Sequence, residues 1–219
     1  MSVDICPAIL AKDPHRYREL MEEVVGYASR VHIDLADGKL TPSKTIALSH
    51  IWWPGGLLAD LHVMYERPFE HTAFYVALKP QLVIVHAEAE GDFVEFAREL
   101  HSHGIEAGVA LLAHTPPQVI EPAIDEADHV LIFSGQLGSY GGQANLELLD
   151  KVALLRQMKP TLEIGWDGGA NDQNVQKLVE SGIDVINSGG FILESKDSKL
   201  AYAKLKNVVG GNDAAAAID

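Results

Sequence analysis

Two histidines and two aspartates lie in three separate apolar stretches of the chain, at positions from which they could share one ligand. His32 and Asp34 stand two residues apart in one stretch, His62 lies in the next, and Asp167 ends a later one. In a β-strand, residues i and i+2 point to the same side, so His32 and Asp34 project together. Imidazole nitrogens and carboxylate oxygens bind divalent transition-metal ions. The pattern therefore predicts a metal site with space left for substrate oxygens.

Three Gly-Gly pairs form a second pattern, one after each of the last three apolar stretches. They are Gly141-Gly142, Gly168-Gly169 and Gly189-Gly190. Glycine lets backbone N–H groups and a helix N-terminus approach an oxyanion closely. We therefore expect a phosphate site built from backbone amides, which needs no lysine or arginine.

Apolar, β-branched runs alternate along the chain with stretches of helical spacing, and these elements must position the groups above. The predicted strands are Ile5–Leu10, Arg30–Ala36, Leu57–Met64, Leu82–His86, Glu106–Leu112, His129–Phe133, Thr161–Trp166 and Asp184–Asn187. The predicted helices are Pro14–Ala28, Thr45–Trp53, Pro68–Leu78, Asp92–His103, Pro117–Ala127, Leu146–Met158, Asn171–Ser181 and Ser198–Val208. Asp13 is the expected N-cap of the first helix, and Gly104 and Gly182 are expected to end two others in the left-handed conformation.

Eight strand–helix units in succession predict an α/β protein with a (β/α)8 TIM barrel. The barrel is predicted to occupy residues 1–209 as a single domain, and residues 210–219 are predicted to form a flexible tail. An open doubly wound sheet is the alternative, but no G-x-G-x-x-G sequence follows the first strand.

The barrel prediction also places the candidate metal ligands at one end of the molecule. Active sites of this fold lie at the C-terminal ends of the strands. Alternation turns the apolar residues of strand 30–36 toward the helices and turns His32 and Asp34 inward. Unpaired charges inside a barrel cost several kcal/mol each, so these groups need a shared partner, and a divalent cation is one. For Asp60 and His86, which also face inward, we favour satisfied polar groups of the core.

Composition and charge exclude several classes of function. The chain has 219 residues, and 17 basic against 31 acidic side chains give a formal charge of −14. Without a basic stripe for a phosphate backbone, we expect no nucleic-acid partner. No apolar run approaches the roughly 20 residues of a membrane span, and the first residues lack the features of a secretory signal. We therefore expect no membrane partner. A single cysteine, Cys6, allows no internal disulfide, which fits a reducing compartment, so we expect a cytoplasmic location.

Six longer motifs are spread over the chain. They are Cys6-Pro7-Ala8-Ile9-Leu10, His32-Ile33-Asp34-Leu35-Ala36-Asp37-Gly38, Asp60-Leu61-His62-Val63-Met64, His86-Ala87-Glu88-Ala89, Gly141-Gly142-Gln143 and Asp167-Gly168-Gly169. Together they resemble the ribulose-phosphate 3-epimerase family over nearly the whole chain, and the resemblance implies a barrel of the ribulose-phosphate-binding type.

The resemblance also implies roles for individual residues. One divalent cation (Zn, Fe, Mn or Co) would be held by His32, Asp34, His62 and Asp167, and Asp34 and Asp167 would be the catalytic acid/base pair. The partner would be a small phosphorylated sugar. Its implied contacts are Met64, Gly141, Gly142, Gln143, Gly168, Gly169, Ser188, Gly189 and Gly190.

The implied reaction is the metal-dependent inversion of C3 in a ketose phosphate, D-ribulose 5-phosphate to D-xylulose 5-phosphate in the pentose phosphate pathway. One aspartate would take the proton from one face, and the other would return a proton to the opposite face of an enediolate. Met64 and Phe133 would give this planar intermediate an apolar surface. The loops 38–45 and 135–143 are predicted lids.

Several positions depart from the family pattern, and they surround the substrate rather than the metal. They are Ala8, Ala36, Phe133, Trp166, the rebuilt loop 136–143, and Ser188 before Gly189-Gly190. These departures keep open an epimerase for a different sugar phosphate, such as a ketohexulose 6-phosphate, and a barrel that binds its ligand without turnover.

Two other enzyme classes are disfavoured. The related decarboxylases carry a lysine where this chain has Ala36, and a Schiff-base aldolase needs an inward-facing lysine at a strand end, which none of the predicted strands offers. A homo-oligomer stays open, with Trp52 and Trp53 either at a subunit contact or packed in the interior.

Overall fold

Eight parallel strands pair in sequence order and close into a barrel. The structure is a computed structural model and describes residues 3–140 and 142–215. The strands are β1 (Asp4–Ile9), β2 (Arg30–Ala36), β3 (Leu58–Met64), β4 (Leu82–His86), β5 (Glu106–Leu111), β6 (His129–Phe133), β7 (Glu163–Asp167) and β8 (Val185–Ser188). Because β8 pairs with β1, the predicted TIM barrel is confirmed and the open sheet is excluded.

Helices follow the strands and cover the outside of the barrel. The α-helices are α1 (Pro14–Val25), α2 (Thr72–Leu78), α3 (Phe93–Ser102), α4 (Asp150–Met158), α5 (Val175–Glu180), α6 (Gly190–Leu193) and α7 (Ser198–Ala215). Shorter 3-10 helices span Leu48–His50, Pro68–His71, Pro117–Glu126 and Leu146–Leu149. Asp13 caps α1 as predicted, accepting hydrogen bonds from the backbone N–H groups of His15 and Arg16. Gly104 and Gly182 adopt the expected left-handed conformation, with φ of 72° and 91°.

Three predicted helices differ from the observed ones for local reasons. The predicted helix 117–127 is a 3-10 helix containing Pro122, which lacks an N–H and whose ring obstructs α-helical bonding. The stretch 45–53 contains only the short 3-10 turn at Leu48–His50. Helix α5 begins at Val175 because the Asn174 side chain accepts the Asn171 N–H and forms a turn there.

The C-terminal helix α7 runs through Ala215, into the segment predicted as a flexible tail. Residues 216–219 lie outside the described residues, so the predicted boundary at residue 209 stays a prediction. Trp52 is partly exposed and packs edge-to-face on Tyr17, and whether it also lies at a subunit contact stays untested. Among the described residues, no helix combines the length and the apolar character needed to cross a bilayer.

Alternation along the strands separates an outer core from the barrel interior. Val31, Ile33 and Leu35 of β2 pack outward in the main apolar core beneath the helices. A smaller apolar group lies inside the barrel and consists of Leu82, Ile84, Ala110 and Leu131. The polar residues of β2 therefore face the interior, as predicted.

Charged side chains at the N-terminal end of the barrel form an ion-pair network, the base cluster, made of Arg30, Asp60, His129 and Glu163. Arg30 Nε donates to Asp60 Oδ2 at 2.7 Å, and its terminal nitrogens donate to the two Glu163 oxygens at 3.0 and 2.9 Å. His129 Nδ1 lies 2.7 Å from the same carboxylate. Burial raises the pKa of Asp60 despite the attraction of Arg30. Because Asp60 Oδ2 accepts from Arg30, Asp60 is a paired group of the core.

Candidate functional site

Four side chains from three strands converge at the C-terminal mouth of the barrel. They form the mouth cluster, made of His32, Asp34, His62 and Asp167. The parallel register of β2 and β3 sets Asp34 beside His62, and Asp167 is the last residue of β7. One donor atom from each residue lies within 4.8 Å of the other three, and all four residues are buried. The structure therefore brings together all four predicted metal ligands.

The distances show which atoms face one another. His62 Nδ1 lies 2.8 Å from Asp34 Oδ1 and 3.8 Å from Asp167 Oδ2. His32 Nε2 lies 3.4 and 3.8 Å from the same two oxygens. Within residues 3–140 and 142–215, the ion-pair contacts of both carboxylates are made with these histidines alone, so no lysine or arginine neutralises them.

The mouth cluster fits a divalent metal ion. Both ring nitrogens of His32 are buried and have no hydrogen-bond partner among the described residues. An unpaired buried polar atom costs about 1–3 kcal/mol, and a cation between His32 Nε2 and the two carboxylates would satisfy that nitrogen. Two imidazole nitrogens and two carboxylate oxygens suit Zn, Fe, Mn or Co. The four residues can therefore hold such an ion.

The two aspartates of the cluster differ in their affinity for a proton. Burial raises the pKa of Asp34, but contacts with His32 and His62 outweigh burial and hold the pKa well below its usual range. Burial and the negative charge of Asp34 raise the pKa of Asp167 well above its usual range. The pair can thus hold one ionised and one protonated carboxyl group at the same pH.

A cavity of about 220 Å³ opens at the mouth cluster. The predicted site residues that line it are Asp34, Met64, Gly142, Asp167, Gly168, Gly169, Ser188, Gly189 and Gly190. His32 and His62 are fully buried and do not line it. Gln143 is exposed and is not among the lining residues, and Gly141 lies outside the described residues. Phe133 lines the cavity with Met64, where an apolar surface was expected.

The glycine pair after β7 allows the next loop to approach closely. Gly168 has φ of 111°, and a Cβ there would lie 2.1 Å from the backbone nitrogen of Gly135. Gly169 has φ of 71°, and a Cβ there would lie 2.3 Å from the backbone nitrogen of Ala144. Trp166 is fully buried and donates its indole N–H to the Gly168 carbonyl at 3.0 Å. Packing alone thus requires these glycines, whatever ligand they bind.

The cavity also has lining residues that the sequence analysis did not propose. They include Leu10, Ala170, Asn171, Asn187, Phe191 and Glu194, and Tyr140 of the predicted lid 135–143 also lines the cavity. Asn187 is 1% exposed, and neither polar atom of its amide has a hydrogen-bond partner among the described residues. Strand alternation, counted back from the end of β8, could have identified it. Tyr140 packs its ring on Gly189 and accepts the Leu10 N–H, a contact that depends on the path of a loop.

His86 extends the polar interior behind the mouth cluster. Its Nε2 lies 2.8 Å from Nε2 of His62, and burial lowers the pKa of His86 to about 4. His86 is therefore neutral near pH 7. It is hydrogen-bonded at one nitrogen, and its Nδ1 has no hydrogen-bond partner in the part of the chain that the structure describes.

Sequence comparison finds one family over most of the chain. The model of the "Ribulose-phosphate 3 epimerase family" matches residues 4–193. Ribulose-phosphate 3-epimerase of Helicobacter pylori (strain J99) is 33% identical over 213 residues, which cover 93% of this chain and 97% of that protein. Ribulose-phosphate 3-epimerase of Bacillus subtilis (strain 168) is 29% identical over 214 residues, covering 93% and 98%.

Two of the solved structures that match share the fold at lower sequence identity. The 3-hexulose-6-phosphate synthase of Salmonella typhimurium matches with a TM-score of 0.70 at 15% identity, covering 96% of this chain and 99% of that one. The 3-keto-L-gulonate-6-phosphate decarboxylase of Vibrio cholerae matches with a TM-score of 0.66 at 12% identity, covering 96% and 99%. At these identities the likeness supports the barrel fold alone.

Proposed function

Because the chain belongs to the ribulose-phosphate 3-epimerase family and is an epimerase, we propose that it converts D-ribulose 5-phosphate to D-xylulose 5-phosphate by inverting C3. The observation that carries the proposal is the mouth cluster, in which two carboxylates of unlike proton affinity share one centre with two histidines. Inversion next to a ketone requires a base on one face of the carbon and an acid on the other. Asp34 and Asp167 reach the centre from different strands, which supports assigning one of them to each face.

Each carboxyl group has one role in the proposed mechanism. Asp34, ionised, takes the carbon-bound proton, and Asp167, protonated, delivers a proton to the opposite face; the roles exchange in the reverse direction. A divalent cation held by His32, Asp34, His62 and Asp167 would supply electrostatic stabilisation of the negative charge that develops on the substrate oxygens. His32 and His62 also hold the carboxylates in place from behind.

The rest of the cavity would bind and shield the substrate. Met64 and Phe133 give an apolar wall against which a planar intermediate packs, and this wall excludes water. We propose that backbone amides at Gly142, Gly168, Gly169, Gly189 and Gly190, with Ser188, bind the phosphate group. The Ser188 hydroxyl donates to the Ala170 carbonyl. Phosphate oxygens accept hydrogen bonds, so this hydroxyl would have to give up that bond to donate to the phosphate. Gly141 and Gln143 remain predicted contacts of this loop.

The proposed location is the cytoplasm.

The test is an activity panel run in deuterium oxide. The purified protein, stripped of metal and then supplied with Zn, Mn, Co or Fe(II), is given D-ribulose 5-phosphate and, separately, a ketohexulose 6-phosphate. We expect D-xylulose 5-phosphate carrying one solvent deuteron at C3, and no exchange without added metal. If exchange occurs with the ketohexulose 6-phosphate and not with D-ribulose 5-phosphate, the ketohexulose 6-phosphate is the substrate instead. Absence of exchange with every ketose phosphate at saturating metal would leave a barrel that binds without turnover.

A further inference from the structure

We propose that Glu88 is a positioning residue, which acts through His86 to hold the His62 imidazole in the tautomer that offers Nδ1 to a metal ion. The inference rests on the proposed metal site, but it concerns side chains outside the mouth cluster. It assigns a role to the stretch 86–89 that the proposed reaction does not use.

A tight turn after β4 brings Glu88 back to His86. The Ala89 N–H donates to the His86 carbonyl at 3.0 Å, which reverses the chain just past the strand. As a result Glu88 Oε2 lies 3.5 Å from His86 Nδ1, while His86 Nε2 lies 2.8 Å from His62 Nε2. The side chains of His62 and His86 have no exposed surface. His86 thus bridges His62 and Glu88 in a buried row.

With a cation at the mouth cluster, the row has one arrangement of protons that satisfies every contact. His62 Nδ1 faces the two carboxylates of the mouth cluster, so it must carry a lone pair to bind a cation there. Its proton is then on Nε2 and donates to His86 Nε2. A neutral imidazole has one donor and one acceptor nitrogen, so the proton of His86 is on Nδ1. That proton points at the Glu88 carboxylate, which can only accept.

Without a cation, the reversed arrangement lets His62 Nδ1 donate to Asp34 Oδ1 at 2.8 Å, and Glu88 is the group that opposes it. If His62 carried its proton on Nδ1, its Nε2 would accept from His86, and His86 Nδ1 would present a lone pair to the Glu88 carboxylate. Two acceptors would then face each other in a buried place. His86 Nδ1 and Glu88 Oε2 are both buried and have no hydrogen-bond partner among the described residues, so neither has a substitute. The negative charge of Glu88 therefore favours the tautomer suited to metal binding and lowers the cost of reaching it when a cation binds.

Glu88 is itself held from the far side. Its Oε1 accepts the hydroxyl of Thr115. The Thr115 carbonyl in turn accepts from Lys151 Nζ at 2.8 Å, and Lys151 also donates to the Leu112 carbonyl at 2.7 Å. Thr115 and Lys151 are buried, and the Glu88 side chain is 25% exposed. The carboxylate thus has a fixed position rather than the freedom of a surface residue.

The test compares Glu88→Gln with the matched control Glu90→Gln. Glu90 lies two residues further along, is exposed and pairs with Arg67, so its variant removes the same charge without touching the row. The affinity of each metal-free protein for Zn²⁺ is measured by competition with a chelator. The protonated nitrogen of His62 is assigned from long-range proton–nitrogen NMR correlations of the histidine rings, also without metal.

We expect Glu88→Gln to weaken Zn²⁺ binding about 10- to 100-fold. In the metal-free protein, we expect this variant to have a larger fraction of His62 with its proton on Nδ1 than the original protein has. Glu90→Gln should stay within about twofold of the original protein on this scale. Unchanged Zn²⁺ affinity in Glu88→Gln, or an unchanged ratio of the two His62 tautomers, overturns the inference. If Glu88→Gln does not unfold cooperatively, Glu88→Asp, which keeps the charge on a shorter side chain, is put through the same two measurements. A parent protein that binds no Zn²⁺ refutes the proposed metal site instead, and the His62 tautomer then still decides the role of Glu88.

Discussion

The two ends of the barrel bury the same kinds of side chain, but they differ in whether the chain itself neutralises the buried carboxylates. At the N-terminal end, the base cluster sets two carboxylates against Arg30, whose guanidinium reaches Asp60 and Glu163 at 2.7 to 3.0 Å. At the C-terminal end, the mouth cluster sets two carboxylates against two histidines and no permanent cation from the described residues. The base cluster is neutralised by the chain itself, whereas the mouth cluster is not.

The difference shows how to distinguish a structural polar group from a functional one. Strands β2 and β7 contribute to both clusters, through Arg30 and Glu163 at one end and Asp34 and Asp167 at the other. An inward-facing acid on a barrel strand is therefore no signal by itself. The signal is a missing partner, because a buried charge without one is costly and natural structures rarely retain it without a ligand.

The largest expected effect separates the two clusters by activity. Asp34→Asn and Asp167→Asn should each reduce kcat on the order of 10²–10⁴-fold, because each removes one member of the acid/base pair. Asp60→Asn replaces an inward-facing aspartate of the base cluster and should retain turnover. Steady-state kinetics with metal present, together with circular dichroism, checks the three variants. Near-normal turnover of Asp34→Asn or Asp167→Asn would refute the two-carboxylate mechanism.

The next effect separates them by stability. Arg30→Met leaves two buried or half-buried carboxylates without their cation, so we expect a loss of about 3–5 kcal/mol in the free energy of unfolding. Arg98→Met removes an exposed pair with Glu126 and should change it by about 0–1 kcal/mol. Denaturant unfolding measures both. If Arg30→Met is as stable as Arg98→Met, the base cluster does not have the structural role given to it here.

Metal removal should affect only the mouth cluster. A ligand present at 100 times its Kd stabilises a protein by about 2.7 kcal/mol, and for a chain of this size each kcal/mol shifts Tm by roughly 2–4 °C. We therefore expect a chelator to lower Tm by about 5–10 °C in the original protein. His32→Asn removes a mouth-cluster ligand and should show little or no shift, whereas Asp60→Asn should keep it. An equal shift in His32→Asn would place the stabilising ion elsewhere.

The smallest expected effect is the acid sensitivity of the base cluster. Burial raises the pKa of Glu163, but hydrogen bonds from His129 and Arg30 outweigh it and hold the pKa far below its usual range. A depressed folded-state pKa gives stability above the unfolded value of about 4.3, and this stability is lost as the pH falls toward the folded-state value. Between pH 7 and pH 3, the free energy of unfolding should thus fall more steeply with decreasing pH in the original protein than in Glu163→Gln. The exposed Glu147→Gln is the control, and equal slopes for all three proteins would contradict the assignment.

The sequence was sufficient for the barrel because alternation along the strands is a local property. The bounds of β2, β4 and β6 agree with the predicted runs, and the spacing of His32 and Asp34 already placed both inside. The segment 117–126 forms a 3-10 helix because Pro122 interrupts α-helical hydrogen bonding in an otherwise helical pattern.

The remaining features depend on how distant segments meet. Nothing in the sequence shows that His62 presents Nδ1 and His32 presents Nε2 to the carboxylates. The contact of Tyr140 with Gly189 and the return of Glu88 to His86 depend on the paths of loops. Pattern analysis therefore identified the ligands of the site but not the residues that shape and orient it.

In the proposed site, four donor atoms at the mouth hold one cation that the chain's own residues do not replace. Crystals soaked in Zn²⁺ and measured at the zinc absorption edge test this directly. We expect a single strong anomalous peak at the barrel mouth, coordinated by His32 Nε2, Asp34 Oδ1, His62 Nδ1 and Asp167 Oδ2. A mouth without a peak at saturating Zn²⁺, with the four side chains still together, would contradict the account.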